Sequence, residues 1–484
     1  MTDNVTPATE NHYDVVIVGA GPAGYAAAIR CAQLGMRVAC VDDRVNEQGI
    51  PVLGGSCLNE GCIPCKALLD SAAHYHRARH QFDAHGIRVG EVSLDVPAML
   101  ARKERIVQRL TDGIATLFQA HRITWIPGRG RLLTGKRVEI TRRDATEEPL
   151  ILSGDHVILA CGSQPSVLDT VPVDGDRIVD SAGALRLPDV PRRLGVVGAG
   201  VVGLELAGIW LRLGAEVVLL DARQEFLPLA DTQIAREAQK EFTRQGMDIR
   251  LGARVTGTHV ADGQVTVTYQ DSEGSHQLQV DRLIVAVGRS PNTDELFAPD
   301  TRLLLGEGQF ILVDEYCRTN LPGVYAIGDA VRGPMLAHKG FEEGVAVAEA
   351  IAGQAAPVNY DMMPAVIYTE PAIAWIGKTE QALRAAGEEY KVGVFPFAAN
   401  GWAQAMEEPA GLVKVLSHAQ TDRILGVHIL GAAATELIAE AVLALEYAAS
   451  AEDLARTIHA HPTLSEALRE AALAAEGSAL HRAG

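Results

Sequence analysis

Apolar residues arrive along this chain in short β-branched blocks, each stopped by glycine and followed by an alanine-rich or leucine-rich stretch. The first such segment is 13-YDVVIVGAGPAGYAAAIRCAQLGMRVACVDD-43. Val15 to Val18 shows no polar alternation, which predicts a strand buried on both faces of a parallel sheet. Gly19-Ala20-Gly21-Pro22-Ala23-Gly24 follows, then a helix ending at Gly35, then a short strand from Arg37 to Val41 that stops at Asp42. This is a βαβ unit with the dinucleotide fingerprint. Its glycines allow a tight turn and close backbone approach, the helix N-terminus faces a pyrophosphate, and the terminal acid reaches a ribose hydroxyl.

The pattern recurs at 194-LGVVGAGVVGLELAGIWLRLGAEVVLLDA-222. Gly198, Gly200, Gly203, Gly214 and Asp221 each lie 179 residues after Gly19, Gly21, Gly24, Gly35 and Asp42. A single GxGxxG is weak, since ordinary tight turns match it. Two copies that share spacing, strand, helix end and acid predict two dinucleotide sites. An acid at Asp221 bonds a 2′-hydroxyl and repels a 2′-phosphate, which favours NAD over NADP. Arg223 close by keeps the phosphate form in play.

Between the two units the pattern predicts a long helical tract, roughly Cys65 to Ala120, and strands at Arg137 to Thr141 and Leu150 to Leu152. Three further strands stop at glycine turns: 157-VILACGSQP-165, 282-RLIVAVGRSPNT-293 and 323-GVYAIGDA-330. From about Tyr360 the character changes to antiparallel-looking strands, Leu412 to Leu416 and Ile424 to Leu430. Helices follow from Ala434 to Ala449 and from Leu464 to Ala475. The expected fold is α/β, with two doubly wound dinucleotide-binding domains and a C-terminal α+β interface domain. The expected domains are 1–155, completed by 285–358, then 156–284, then 359–484.

Length and charge narrow the class. At 484 residues the chain exceeds what one core supports. Its net charge of −18 argues against nucleic acid or an anionic membrane as the main partner. The N-terminus is polar without a secretory apolar core, and no apolar run reaches the roughly 18 residues needed to span a bilayer. A cytoplasmic protein is expected.

The chemistry concentrates in 55-GSCLNEGCIPCK-66, where Cys57, Cys62 and Cys65 lie together in a chain with seven cysteines. In a reducing compartment such a cluster is a thiol catalyst or a metal site more often than a staple. The C-x4-C-x2-C spacing matches iron–sulfur ligation, which would need a fourth cysteine nearby. Pro64 fits a first helical turn, so Cys62 is expected near a helix N-terminus, where a thiolate is favoured. His76 and His80, four apart, and the pair His459 and His461 lack a third ligand for a metal, and none is expected. Thr463 to Glu466 reads as a capping box for the last helix.

GGxCxxxGCxPxK after a flavin-type βαβ unit, a second βαβ unit, and a near-terminal HPTxxE together resemble the pyridine nucleotide-disulfide oxidoreductase family. Here they stand as 54-GGSCLNEGCIPCK-66 and 461-HPTLSE-466, with 325-YAIGDA-330, 335-MLAHKG-340 and 366-VIYTEPAIAWIG-377 also family-like. The resemblance covers nearly the whole chain and is strongest to members that oxidise dihydrolipoamide. The last cysteine is Cys317, so the C-terminal thiol pair of mercuric and large thioredoxin reductases is missing. Cys57 sets the chain apart from the soluble transhydrogenases, and Gly203 with Asp221 from the NADP-dependent glutathione reductases.

The resemblance implies FAD in the first unit and NAD in the second. It implies a Cys57–Cys62 redox disulfide, with Cys57 as the interchange thiol and Cys62 beside the flavin. It makes Lys66 and Glu205 an ion pair near the flavin, and His461 a general base oriented by Glu466. Gly55, Gly130, Gly162, Ser163, Asp329 and Met335, Leu336, Ala337 and His338 are carried to the flavin side, and Val255 and Gly288 to the NAD side. A homodimer is implied, with the His–Glu pair of one subunit facing the disulfide of the other. The expected substrate is a lipoyl-bearing carrier protein or free dihydrolipoamide. A reductase for another small disulfide and a flavoprotein thiol sensor are the alternatives. Cys65 departs from the family, which has a small polar residue there. It is either a near-isosteric replacement or a second partner for Cys62.

Overall fold

The structure, a computed structural model, describes residues 11–142, 148–354 and 357–481. It is α/β, as the pattern predicts, and divides into two compact units. One comprises the described residues through Ala67, Ala101–Ser166 and Arg289–Val358. The other comprises Leu68–Leu100, Val167–Gly288 and the described residues from Asn359 onward.

In the first unit, His12–Val18 lies at the centre of a parallel set, between Val38–Asp42 and Leu150–Leu159. Thr124–Pro127 extends it at one side, and Val324–Ala326 joins Leu150–Leu159 in parallel. Arg137–Thr141 and Arg129–Leu133 continue it antiparallel. The strands at Leu150 to Leu152 and at Val157, expected as separate, are one strand. The central strand is buried from Val15 to Val18, apart from slight exposure at its last residue. The alanine-rich helix Pro22–Gln33 packs on Ala337–Ile351, and small residues set how near they come. A Cβ on Gly344 would lie 2.6 Å from the Ala23 carbonyl oxygen. Arg30 ties the two helices through Glu349, at 2.6 Å.

The second unit repeats the parallel theme in the order Asp248–Leu251, Glu216–Asp221, Arg193–Val197, Arg282–Val285, Ile178–Val179. A three-stranded antiparallel meander, Arg254–Ala261, Gln264–Asp271 and Gly274–Val280, has no counterpart in the sequence reading. Its signal was present in the alternation of 264-QVTVTYQD-271 and the turns at Asp262-Gly263 and Glu273-Gly274. A five-stranded antiparallel sheet runs Ala365–Ile367, Ala372–Gly377, Ile424–Gly431, Leu412–His418, Tyr390–Pro396. The helices Ala434–Glu446 and Glu466–Ala475 share its core through Leu437, Ile438, Ala467 and Leu468.

The long helical tract is two helices, Cys62–His80 and Val96–Ala120, with a short 3-10 turn at Phe82–His85. Gly86, at φ +72°, ends the winding, and the Asp95 carboxylate restarts it by accepting the Ala98 N–H at 2.9 Å. Among the described residues no helix is long and apolar enough to cross a membrane.

Candidate active site

Both glycine turns are built alike. Gly19 adopts φ +105° and Gly198 φ +106°, and a Cβ on either would sit 2.2 or 2.3 Å from a carbonyl oxygen of the next strand, Ala160 or Ala286. The third glycines allow strand and helix to touch: a Cβ on Gly24 or Gly203 would lie 1.8 or 1.9 Å from the oxygen of Gly19 or Gly198. The middle glycines, Gly21 and Gly200, are the N-caps of Pro22–Gln33 and Val201–Leu213. A Cβ on Gly200 would meet nothing within 4 Å, and Val201 and Val202 behind it are exposed. The second turn is thus an open helix N-terminus, whose first N–H groups have no partner within the helix, which fits a dinucleotide pyrophosphate.

The terminal acids do more than the sequence reading assigned them. Asp42 accepts the Ala20 N–H on Oδ2 at 2.6 Å and the Arg44 N–H on Oδ1 at 2.9 Å. Asp221 does the same for Ala199 at 2.7 Å and Arg223 at 2.8 Å. Each therefore braces its own glycine turn. A carboxylate oxygen has a second lone pair, so the bracing leaves capacity for a ribose hydroxyl. Burial pushes the Asp42 carboxyl up, against the two N–H groups that hold it down.

The thiol segment is fastened to the first turn. Gly54 donates its N–H to the Ala20 carbonyl at 3.0 Å, and Gly55, at φ +60°, would drive a Cβ to within 2.5 Å of Gly21 Cα. Cys57 lies in the short helix Gly55–Glu60, and Cys62 opens the helix Cys62–His80, as Pro64 predicts. All seven cysteines are present as thiols. The Cys57 thiol is hydrogen-bonded to Cys62. That bond and burial push its pKa far up, while the Cys62 N–H and the Lys66 charge pull it down. Cys65, one helical turn after Cys62, is buried. Burial holds Cys31 and Cys161 up at about 12, which keeps both unreactive. Among the described residues no group of three or more His, Cys, Asp and Glu is arranged to hold a metal ion.

Sequence reasoning missed Tyr25. Burial first, then Cys57 and Cys62, push its hydroxyl up to about 12, so a protonated phenol stands beside the two thiols. Its place in the alanine-rich helix gave no signal. It also missed the support beneath Asp329. Ser163 donates to Asp329 Oδ2 at 2.5 Å, and Arg289 reaches Ser163. The buried Lys339 bonds the Gly328 carbonyl at 2.8 Å, and the buried Glu343 accepts the Gly328 N–H at 2.6 Å. The two are ion-paired at 3.0 Å. Lys339 stood inside the family-like 335-MLAHKG-340, but burial alone distinguishes it from a surface lysine.

The other expected residues are placed as follows. Gly162 (φ +70°) accepts the Asn292 N–H on its carbonyl, and Gly288 is at φ +123°. Leu336 is the N-cap of Ala337–Ile351, so Met335 and Leu336 precede that helix and Ala337 and His338 begin it. Gly130 lies flat on Val18 and Val41, where a Cβ would come to 3.0 Å of Val18. Val255 is a core residue, and its carbonyl accepts the Thr170 hydroxyl at 3.3 Å. Glu205 is 3% exposed and accepts the Tyr368 N–H at 3.0 Å.

His461 and Glu466 are in contact. Glu466 Oε1 lies 2.9 Å from His461 Nδ1, and Oε2 accepts the Thr463 N–H at 2.9 Å. Burial raises the Glu466 carboxyl, but the Thr463 N–H and His461 outweigh it and hold it below its usual range. The capping box is half formed. The carboxylate returns to the Thr463 backbone, but the Thr463 hydroxyl donates to the Ala460 carbonyl, and the helix begins only at Glu466. The His461 side chain is 80% exposed. His459 is turned to a different task, with Nε2 on Glu440 at 2.7 Å and Nδ1 on the Thr457 carbonyl at 2.9 Å.

Two braced nucleotide turns and a thiol pair bolted to the first define a dinucleotide-dependent disulfide oxidoreductase. Residues 13–344 match the pyridine nucleotide-disulphide oxidoreductase model and residues 363–472 its dimerisation domain. The chain belongs to that family. It is 50% identical to a dihydrolipoyl dehydrogenase of Cupriavidus necator, over 96% of this chain and 98% of that protein. It is 43% identical to the mitochondrial dihydrolipoyl dehydrogenase of Pisum sativum, over 97% of this chain and 92% of that one. Among solved structures, LpdA of Mycobacterium tuberculosis superposes with a TM-score of 0.86 at 26% identity, covering 95% of this chain and 98% of that chain.

Proposed function

We infer that this chain is an NAD-dependent flavoprotein that oxidises the dithiol of a dihydrolipoyl group, acting as a cytoplasmic homodimer. The observation that carries this is the Cys57–Cys62 pair, hydrogen-bonded at the head of a helix and anchored on the first glycine turn. The full-length likeness to dihydrolipoyl dehydrogenases supports the substrate class.

The residues fit both cofactors. The Gly19–Gly24 turn, Asp42, Ser163 and Asp329 would hold FAD, with Met335 to His338 and Lys66 beside it. The Gly198–Gly203 turn, Asp221 and Gly288 would hold NAD. FAD, when bound there, would supply a two-electron acceptor for the reduced thiols and a hydride donor for NAD+. In the domain assignment we favour, the flavin unit ends with the central segment near 285–358 and the C-terminal region from 359 forms the dimer interface.

The chain's own residues account for the thiol chemistry. Glu466 on Nδ1 fixes the His461 tautomer, so Nε2 presents its lone pair and takes a proton from a substrate thiol. The thiolate attacks Sγ of Cys57 in the oxidised pair, and Cys62 leaves as a thiolate at its helix N-terminus. The second substrate thiol closes the ring and expels Cys57, which takes up a proton. Two electrons have then moved from the dithiol to the cysteine pair. Cys57 keeps its proton toward Cys62, which supports Cys62 as the sulfur that would carry negative charge beside the flavin. His461 is exposed in its own chain, which suits a base that completes the partner's site.

The test is Cys57→Ser. Lipoamide-dependent NADH formation should fall to background while the flavin content of the purified protein is unchanged. Ordinary turnover in that variant would overturn the scheme.

A further inference from the structure

We propose that Arg289 is a positioning residue for the flavin, acting through Ser163 on Asp329. The proposal rests on the FAD reading above and adds a residue that neither the glycine turn nor the thiol segment contains.

Ser163–Pro165 and Arg289–Pro291 form a two-stranded antiparallel ribbon, with Pro291 opposite Ser163 and Arg289 opposite Pro165. From that register the Arg289 side chain reaches back along the ribbon and clasps one residue twice. Nε donates to Ser163 Oγ at 2.7 Å, and an Nη donates to the Ser163 carbonyl at 2.6 Å. Both donors lie in one guanidinium plane, a geometry that a lysine ammonium does not reproduce. Ser163 itself is buried.

A hydroxyl has a single proton. With Arg289 donating to Ser163 Oγ, the serine can satisfy its second contact only by donating, and that contact is Asp329 Oδ2 at 2.5 Å. The chain Arg289–Ser163–Asp329 therefore has one direction, from cation to anion, and each bond strengthens the next. It fixes the Asp329 carboxylate from the protein side through Oδ2. Among the described residues Oδ1 has no protein partner, which leaves it to accept from a cofactor hydroxyl. Lys339 and Glu343 hold the backbone of the same turn at Gly328, so the carboxylate is constrained both at its base and at one oxygen.

The experiment measures flavin release from the purified holoenzyme, followed by the rise in flavin fluorescence on dilution. It compares wild type, Arg289→Met, Arg289→Lys, Ser163→Ala and the two double variants carrying Ser163→Ala. Loss of a charge-assisted hydrogen bond predicts release about 10- to 100-fold faster in Arg289→Met and a smaller acceleration in Arg289→Lys. In the Ser163→Ala background either arginine substitution should add less than about threefold, because the arginine has lost the residue through which it acts. Wild-type release in Arg289→Met, or effects that multiply in the double variants, would overturn the proposal. Should Arg289→Met not fold, the Arg289→Lys pair decides by the same criterion. No lipoyl substrate enters the measurement, so failure here leaves the thiol reading standing, and failure of Cys57→Ser leaves this one standing.

Discussion

Asp42 and Asp221, both half-buried, each brace their own glycine turn, because N–H donors compensate a carboxylate for lost hydration. The sequence announced these acids through their repeat spacing, since the turn they brace is local. His428 gave no such signal. It sits inside the antiparallel sheet with Nε2 on the Lys378 carbonyl at 3.0 Å. Burial drives its pKa from the ordinary 6.5 down to about 4, with Asp231 and the Lys378 carbonyl opposing and Lys414 assisting. Between those values the unfolded chain binds the extra proton, so stability rises with pH across the window and is lost as pH falls. From this residue the loss between pH 6.5 and 4 is on the order of 3 kcal/mol. His428→Gln should remove that portion of the slope in thermal denaturation measured across the range. Parallel slopes in the two proteins would contradict the assignment.

At the scale of elements, the two βαβ units show which glycines the fold needs and which a ligand needs. Gly203 is a packing glycine, with a Cβ placed at 1.9 Å from a carbonyl oxygen, whereas a Cβ on Gly200 would meet nothing and its backbone, at φ −80°, suits any residue. Gly200→Ala should therefore unfold at the wild-type temperature and keep its flavin. Its KM for NAD+ should rise about tenfold or more, because the added methyl occupies the approach of the pyrophosphate. An unchanged KM would remove this turn from the NAD site. Other elements were less legible. The helical tract after Cys65 reads as continuous only if 86-GIRVGEVSLDVP-97 is overlooked; its two glycines, β-branched residues and proline mark the break, which Gly86 and the Asp95 cap make. The meander from Arg254 to Val280 is weakly marked in the sequence because its edge strands alternate weakly.

The whole molecule raises the question of where one site ends. The region matching the dimerisation domain carries Leu443, Tyr447 and Ile458, which are 59%, 79% and 96% exposed. A second copy is the occupant that the family assignment supplies for such a surface. The sharpest check mixes two inactive chains. Cys57→Ser and His461→Gln should each lack lipoamide turnover alone. Co-expressed, they should form hybrid dimers in which one site has both an intact Cys57 and an intact His461. With random pairing about a quarter of wild-type activity should return. If base and thiol served within one chain, hybrids would be inactive.

What the sequence by itself determined is the chemistry that depends on neighbours along the chain. The glycine turns and the thiol segment are close in sequence, so spacing encodes them; the His461–Glu466 pair is implied by the family resemblance through 461-HPTLSE-466, where the local pattern reads as a capping box. The tertiary structure decided what depends on residues far apart. It placed Arg289 on Ser163 and Ser163 on Asp329, across 126 and 166 residues. It set Lys339 and Glu343, neighbours on one helix, on both backbone groups of Gly328, across 11 and 15 residues. Hydrogen-bond partners and burial at such separations are set by packing of the whole chain. No local period or spacing carries them.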